Sequence, residues 1–164
     1  MKLSLLLAGV AVAAVTAGAA QAGILVTYEA PGVTNTTATF DVLGTENFNT
    51  RALGVGGFAT NFNGNGVING QYSSTTQVNS GDQYGGEGDT NYAVTFGEGG
   101  YSLDITSTQD PAGVTYFGYY LPALDQGNVL ELYSGATKIF TFNPSAVLSA
   151  VSGNPLYFGK PDAP

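Results

Sequence analysis

Beyond the first 22 residues, hydrophobic positions recur with a period of two rather than 3.6. In the run 36–43, Ala38, Phe40 and Val42 fall on one face and Thr37, Thr39 and Asp41 on the other. Tyr92, Val94 and Phe96 alternate with Ala93 and Thr95. After Gly97-Glu-Gly-Gly100, Tyr101, Leu103 and Ile105 alternate with Ser102, Asp104 and Thr106, so these two runs predict a hairpin. A first strand is expected at 24–29. The nearly continuous apolar run 114–121 suits a central strand, buried on both faces or lined with aromatics. Runs at 129–133 and 137–142 flank Ser134-Gly-Ala as a second hairpin. Residues 46–76 are less regular: Gly54-Val-Gly-Gly and Asn61-Phe-Asn-Gly-Asn-Gly make turns dominant there. Asn47-Phe-Asn and Asn61-Phe-Asn hint at a short repeat. The only helix candidate starts at Asn143, a capping residue, with Pro144 at the first helical position and a stop at Gly153-Asn-Pro. Short strands rich in Thr, Val, Tyr and Phe, separated by turn residues, predict an all-β fold. The expected arrangement is an antiparallel, jelly-roll-like β-sandwich.

The start of the chain has a different pattern. Lys2 precedes an apolar, Ala-rich run over 3–20, and Ala20-Gln21-Ala22 follows as an A-x-A cleavage site. A run of ~18 residues is at the lower limit for a bilayer span, and no charged stop-transfer cluster comes after it. The expectation is a signal-peptide helix over 1–22, cut between Ala22 and Gly23, and one sandwich domain over 23–164. Leu156-Tyr-Phe reads as the start of another strand, so the domain is expected to be C-terminally truncated.

Composition narrows the chemistry. The chain has 164 residues, 24 of them Gly, with no Cys, His or Trp. There is therefore no Ser-His-Asp triad, catalytic thiol, disulfide or imidazole–thiolate zinc site. Four basic residues against twelve acidic ones give a net charge of −8, which becomes −9 once Lys2 is removed with the leader. No polybasic face is left for nucleic acid or anionic lipid. The expected location is secreted, extracellular or cell-surface, or periplasmic if the protein is retained, with no membrane contact beyond the cleaved leader.

An ordered set of motifs spans residues 82–159. Gln83-Tyr-Gly-Gly and Asn91-Tyr-Ala-Val come first, followed by Val114-Thr-Tyr-Phe-Gly-Tyr-Tyr-Leu and Pro122-Ala-Leu-Asp-Gln-Gly-Asn. Val129-Leu-Glu-Leu-Tyr-Ser-Gly, Phe140-Thr-Phe-Asn-Pro and Gly153-Asn-Pro complete it. This order resembles the exosortase-dependent, PEP-CTERM-type surface proteins of Gram-negative bacteria. The resemblance implies an exported β-sandwich without catalysis, displayed at the surface or released into extracellular matrix. Polysaccharide or matrix is the implied partner. Members usually continue into a Pro-Glu-Pro motif, a membrane helix and a basic tail, and Lys160-Pro-Asp-Ala-Pro164 is not that motif.

Three sets of residues are candidates for chemistry. Asp82, Glu87 and Asp89 lie on a Gly-rich loop able to wrap a hard cation, which makes calcium the candidate cofactor; the alternative is a solvated turn. Asp41, Glu46, Asp110 and Asp125 are carboxylates of which a pair would either bind Ca²⁺ across a sandwich edge or serve as the acid and base of a small acidic glycoside hydrolase; the alternative for Asp110 and Asp125 is a turn role. In the run 114–121, strand alternation puts Tyr116 and Tyr120 on one face and Phe117 and Tyr119 on the other. Tyr119 and Tyr120 are the candidate sugar-stacking pair of a carbohydrate-binding module, with core packing as the alternative. The expected function is that of a non-enzymatic surface or matrix protein, with the sugar-binding module and the hydrolase as alternatives.

Overall fold

The computed structural model describes residues 24–29, 33–62, 64, 66–81, 89–97, 99–111, 113–122 and 127–150. The signal segment 1–22, the Ala22/Gly23 cleavage site, the acids Asp82, Glu87 and Asp125, and the tail 151–164 lie outside them. Among the described residues, eight strands and one helix follow in chain order. They are β1 (Gly54–Val55), β2 (Phe58–Thr60), β3 (Ile68–Tyr72), β4 (Gln77–Asn79), β5 (Tyr92–Val94), β6 (Leu103–Ser107), β7 (Leu130–Ser134), β8 (Thr137–Phe142) and α1 (Pro144–Ala150). Every strand pairing among the described residues is antiparallel, and the fold is all-β.

Two of the sheets are halves of one bent meander. β1-β4-β5 form the first sheet and β2-β3-β6 the second. β3 and β4 follow each other along the central strand. β1 and β2 run along one edge of it, β5 and β6 along the other. At the bend, Gly56 and Gly57 on one edge span the same gap as Ser73–Thr76 on the central strand, so the pairing register slips by two residues. Hydrogen bonds hold this corner. Thr76 N donates to Ser73 O (3.0 Å), Gly56 N to Thr76 O (2.8 Å) and Ser73 N to Ser102 O (2.9 Å). Ser102 N donates in turn to Ser73 Oγ at 3.0 Å.

This arrangement corrects the hairpin expected at 92–106. Among the described residues β5 pairs only with β4 and β6 only with β3, so the chain passes from one half of the meander to the other between these strands instead of reversing. Gly100, at φ +63°, takes the left-handed conformation that the crossing needs. Three other expected strands are irregular. Residues 24–29, 36–43 and 114–121 carry no strand pairing. Alternation licenses a strand only where a neighbour takes up its backbone groups. In the first segment Leu25 is 85% exposed, and side-chain bonds substitute for a ladder nearby: Thr37 N (2.7 Å) and Thr37 Oγ1 (2.9 Å) both donate to Glu29 Oε1. Conversely, 46–76, expected to be mostly turns, holds β1, β2 and β3.

The second expected hairpin is present as β7–β8. Its turn places Gly135 at φ +58°, and a bulge falls between Leu132 and Tyr133. The helix is present as well. Ala146 N donates to Asn143 Oδ1 at 2.9 Å, so Asn143 caps α1 as its residue type implies.

The buried residues lie on the central strand and on the edge strands paired with it. Val78, Tyr72 and Tyr92 are the buried hydrophobic side chains among the described residues, joined by Thr60 and Thr76. Strand alternation sorts the β2-β3-β6 sheet into two faces. Phe58, Gly70, Tyr72, Leu103 and Ile105 share the inner one. Phe58 stacks on Tyr72 (centroids 4.5 Å apart), and Phe48 meets Tyr72 edge-on at 5.7 Å. Phe62 covers Gly70 so closely that a Cβ there would stand 2.8 Å from its ring.

Candidate functional site

The most completely built polar cluster is centred on Glu46. Its side chain is 5% exposed, although a carboxylate is among the groups most costly to bury. Four donors compensate. Phe48 N donates to Oε1 at 2.9 Å, while Thr60 Oγ1 (2.6 Å), Arg51 Nε (3.2 Å) and Arg51 Nη2 (2.5 Å) donate to Oε2. Burial works to raise the carboxyl's pKa. The hydrogen bonds from Arg51, Thr60 and Phe48, with the charge of Arg51, outweigh it and hold Glu46 below the usual carboxylate range. Arg51 is fixed further by Nη1 donating to Ala59 O (3.1 Å) and by its guanidinium lying 4.8 Å from the Phe58 ring centroid.

Asn47-Phe48 and Asn61-Phe62, the shared start of the two triplets, flank this cluster and give their similarity a physical meaning. Phe48 and Phe62 both have left-handed backbones, at φ 61° and 53°. Each N–H is taken by the side-chain oxygen two residues earlier: Phe48 N by Glu46 Oε1 and Phe62 N by Thr60 Oγ1, both at 2.9 Å. Glu46 and Thr60 then bond each other. Thr45 N donating to Phe62 O (2.7 Å) ties the two turns together. Such backbone conformations cost ~1–3 kcal/mol each in a non-glycine residue and persist where surrounding structure enforces them.

Outside this cluster lies the polar face of the β2-β3-β6 sheet. Ala59 stands opposite Gln71, Gln71 opposite Asp104, and Asn69 opposite Thr106. With Arg51, Thr60, Asn61 and Gly70 these residues line an open concavity of about 570 Å³. Sequence reading missed it because β2 and β3 fall in the Gly- and Asn-rich stretch assigned to turns. The signal available was the alternation of Asn69 and Gln71 with Gly70 and Tyr72, and the presence of the chain's sole Arg.

The expected site residues are placed as follows. Asp89 is exposed, and its partners in the expected calcium site lie outside the described residues. Among the described residues no group of three acidic side chains is gathered as a metal site would require. Glu46 is bonded to Arg51, and Asp41 and Asp110 are exposed. Tyr119 and Tyr120 are half-exposed (46% and 43%) on an irregular segment rather than a strand. Tyr119 stacks against Phe117 with centroids 6.2 Å apart, the same pair that alternation put on one face. Burial raises the Tyr119 phenol's pKa; Tyr101 rises through burial and the proximity of Tyr119. Tyr116 packs on Phe40 at 4.6 Å. Lys138 is in β8, paired with Glu131 at 2.8 Å.

The chain matches no family model, no curated protein and no solved structure.

Proposed function

We propose that the chain is a non-enzymatic exported protein of a Gram-negative bacterium, displayed at the surface or shed into extracellular matrix, of the exosortase-dependent type. The observation that carries this reading is the use made of Glu46. It is the one buried carboxylate among the described residues, and Arg51, Thr60 and the Phe48 N–H occupy it. A carboxylate bound in this way braces a fold. It is poorly placed as the acid or base of a hydrolase, which needs a proton-exchanging group facing substrate. The leader-like start and the motif order over 82–159 support export by that route.

Expression in a Gram-negative host with cell fractionation and N-terminal sequencing tests the proposal. The expected result is material outside the cytoplasm that begins at Gly23. Cytoplasmic protein beginning at Met1 overturns it.

A further inference from the structure

The concavity on the polar face of the β2-β3-β6 sheet has the chemistry of a shallow carbohydrate subsite. We infer that it binds a short stretch of a neutral polysaccharide or oligosaccharide, contacted through Gln71, Asn69, Asp104, Thr106 and Arg51. At about 570 Å³ it falls within the ~300–1,000 Å³ range of ligand pockets, and it is open along the sheet, which suits a chain passing through rather than an enclosed small molecule.

The face is an ordered array of polar groups. Cross-strand neighbours such as Gln71 and Asp104 stand ~4.5–5.5 Å apart, and residues two apart on one strand, such as Asn69 and Gln71, ~7 Å apart. Asn69 and Gln71 each spend one of their two amide N–H groups on a backbone carbonyl, Nδ2 to Gly66 O and Nε2 to Tyr72 O, both at 3.0 Å, and keep the other. Their amide oxygens remain as acceptors. The Asp104 carboxylate and the Thr106 hydroxyl have no partner among the described residues, so the array is rich in acceptors for ligand hydroxyls. Arg51 supplies further donors. Its Glu46 and Ala59 bonds use three of five N–H groups and leave two on a guanidinium that cannot swing away. Buried Glu46 is therefore the support that preorganises this rim, and the strained Phe48 and Phe62 turns hold that support in place.

The same inventory selects the ligand. The Arg51 charge is already met by Glu46, so Asp104 leaves the face with one uncompensated negative charge, which disfavours a polyanion and is too little to hold a polycation. Ala59 is the only wholly apolar side chain among its lining residues, so an acyl chain or an apolar peptide would meet carbon only between polar groups. Many hydroxyls and no charge describe a neutral glycan. The inference does not depend on export: binding is measured on purified protein, and a failed secretion experiment leaves it standing.

The test is a titration of the purified protein with cello-, malto-, xylo- and mannohexaose. It is followed by ¹⁵N chemical shifts and calorimetry, on the parent protein and on Gln71→Ala, Asp104→Ala and Tyr120→Ala. At least one hexaose is expected to shift resonances of Asn69, Gln71, Asp104 and Thr106. The expected loss of affinity is about tenfold or more for Gln71→Ala and for Asp104→Ala, with none for Tyr120→Ala. Affinity is expected to hold between 50 and 500 mM NaCl. Four results would each overturn the inference: no binding of any hexaose at millimolar concentration, binding unaffected by both face variants, binding lost in Tyr120→Ala, or a steep salt dependence.

Discussion

Glu46 and Arg51 form an ion pair in which only one partner reaches water. The Arg51 side chain is 25% exposed and that of Glu46 5%, so the carboxylate depends on the guanidinium and on Thr60 and Phe48 for its solvation. Arg51→Ala strands a buried charge. It is expected to destabilise the fold by about 2–4 kcal/mol, at the lower side of the range for fully buried pairs because Arg51 is partly solvated. Chemical denaturation at pH 7 measures this. A loss below about 0.5 kcal/mol would mean that water replaces the guanidinium at little cost.

The same pair makes stability depend on pH. The folded Glu46 carboxyl sits below its ordinary range, because its hydrogen bonds and Arg51 outweigh burial. Its contribution is therefore complete above the unfolded value of about 4.3 and is lost as the pH falls through the lower folded value. Glu46→Gln should be less stable than the parent at pH 7, with the gap narrowing steadily below about pH 4. Melting temperatures of both proteins from pH 7 to pH 2 check this, and a gap independent of pH contradicts it.

Thr76 is fully buried at the corner, and its hydroxyl has no partner among the described residues. Its backbone N–H and C=O are both bonded, so only the hydroxyl is unsatisfied. Thr76→Val keeps the volume and removes that polar group. A gain of about 1 kcal/mol and a rise in Tm of several degrees are expected. A lower Tm would show that the hydroxyl is in fact satisfied.

Two adjacent glycines at the corner should respond differently to Ala. A Cβ on Gly57 would stand 2.9 Å from Tyr72 O and 3.2 Å from Ser73 C, both backbone atoms of the central strand. A Cβ on Gly56 meets nothing within 4 Å. Gly57→Ala should cost about 1–3 kcal/mol by forcing the edge strand away from the bend, while Gly56→Ala should change stability by less than about 1 kcal/mol. Equal effects in parallel denaturation curves would rule out close approach at the corner as the reason for glycine at 57.

Asn143 accepts the Ala146 N–H at the start of a seven-residue helix. A helix this short has little intrinsic stability, so its cap matters. Asn143→Ala should cost about 1 kcal/mol and Asn143→Asp close to nothing. Amide exchange of Ala146 should accelerate in the first variant only.

Local chemistry made part of this fold legible in the sequence. The β7–β8 hairpin follows from two alternating runs either side of Ser134-Gly135-Ala136, and the capped helix from Asn143-Pro144. Both are closed by groups a few residues apart, so residue type and spacing suffice. All-β character is likewise a property of period-two patterning. The tertiary structure alone decided which strands pair. Tyr92–Val94 and Leu103–Ser107 alternate as a hairpin would, yet each pairs with the central strand, because Gln77–Asn79 and Ile68–Tyr72 offer backbone partners and the Gly-rich link between them can cross the corner. Residues 36–43 alternate equally well and remain irregular without such a partner. The Glu46 cluster joins groups up to fourteen residues apart, and the polar face joins Asn69 to Thr106 across two strands. Periodicity fixes the direction of a side chain relative to its own strand. The neighbouring strand, and with it a shared face or a buried charge, is set by burial and register summed over the whole sheet.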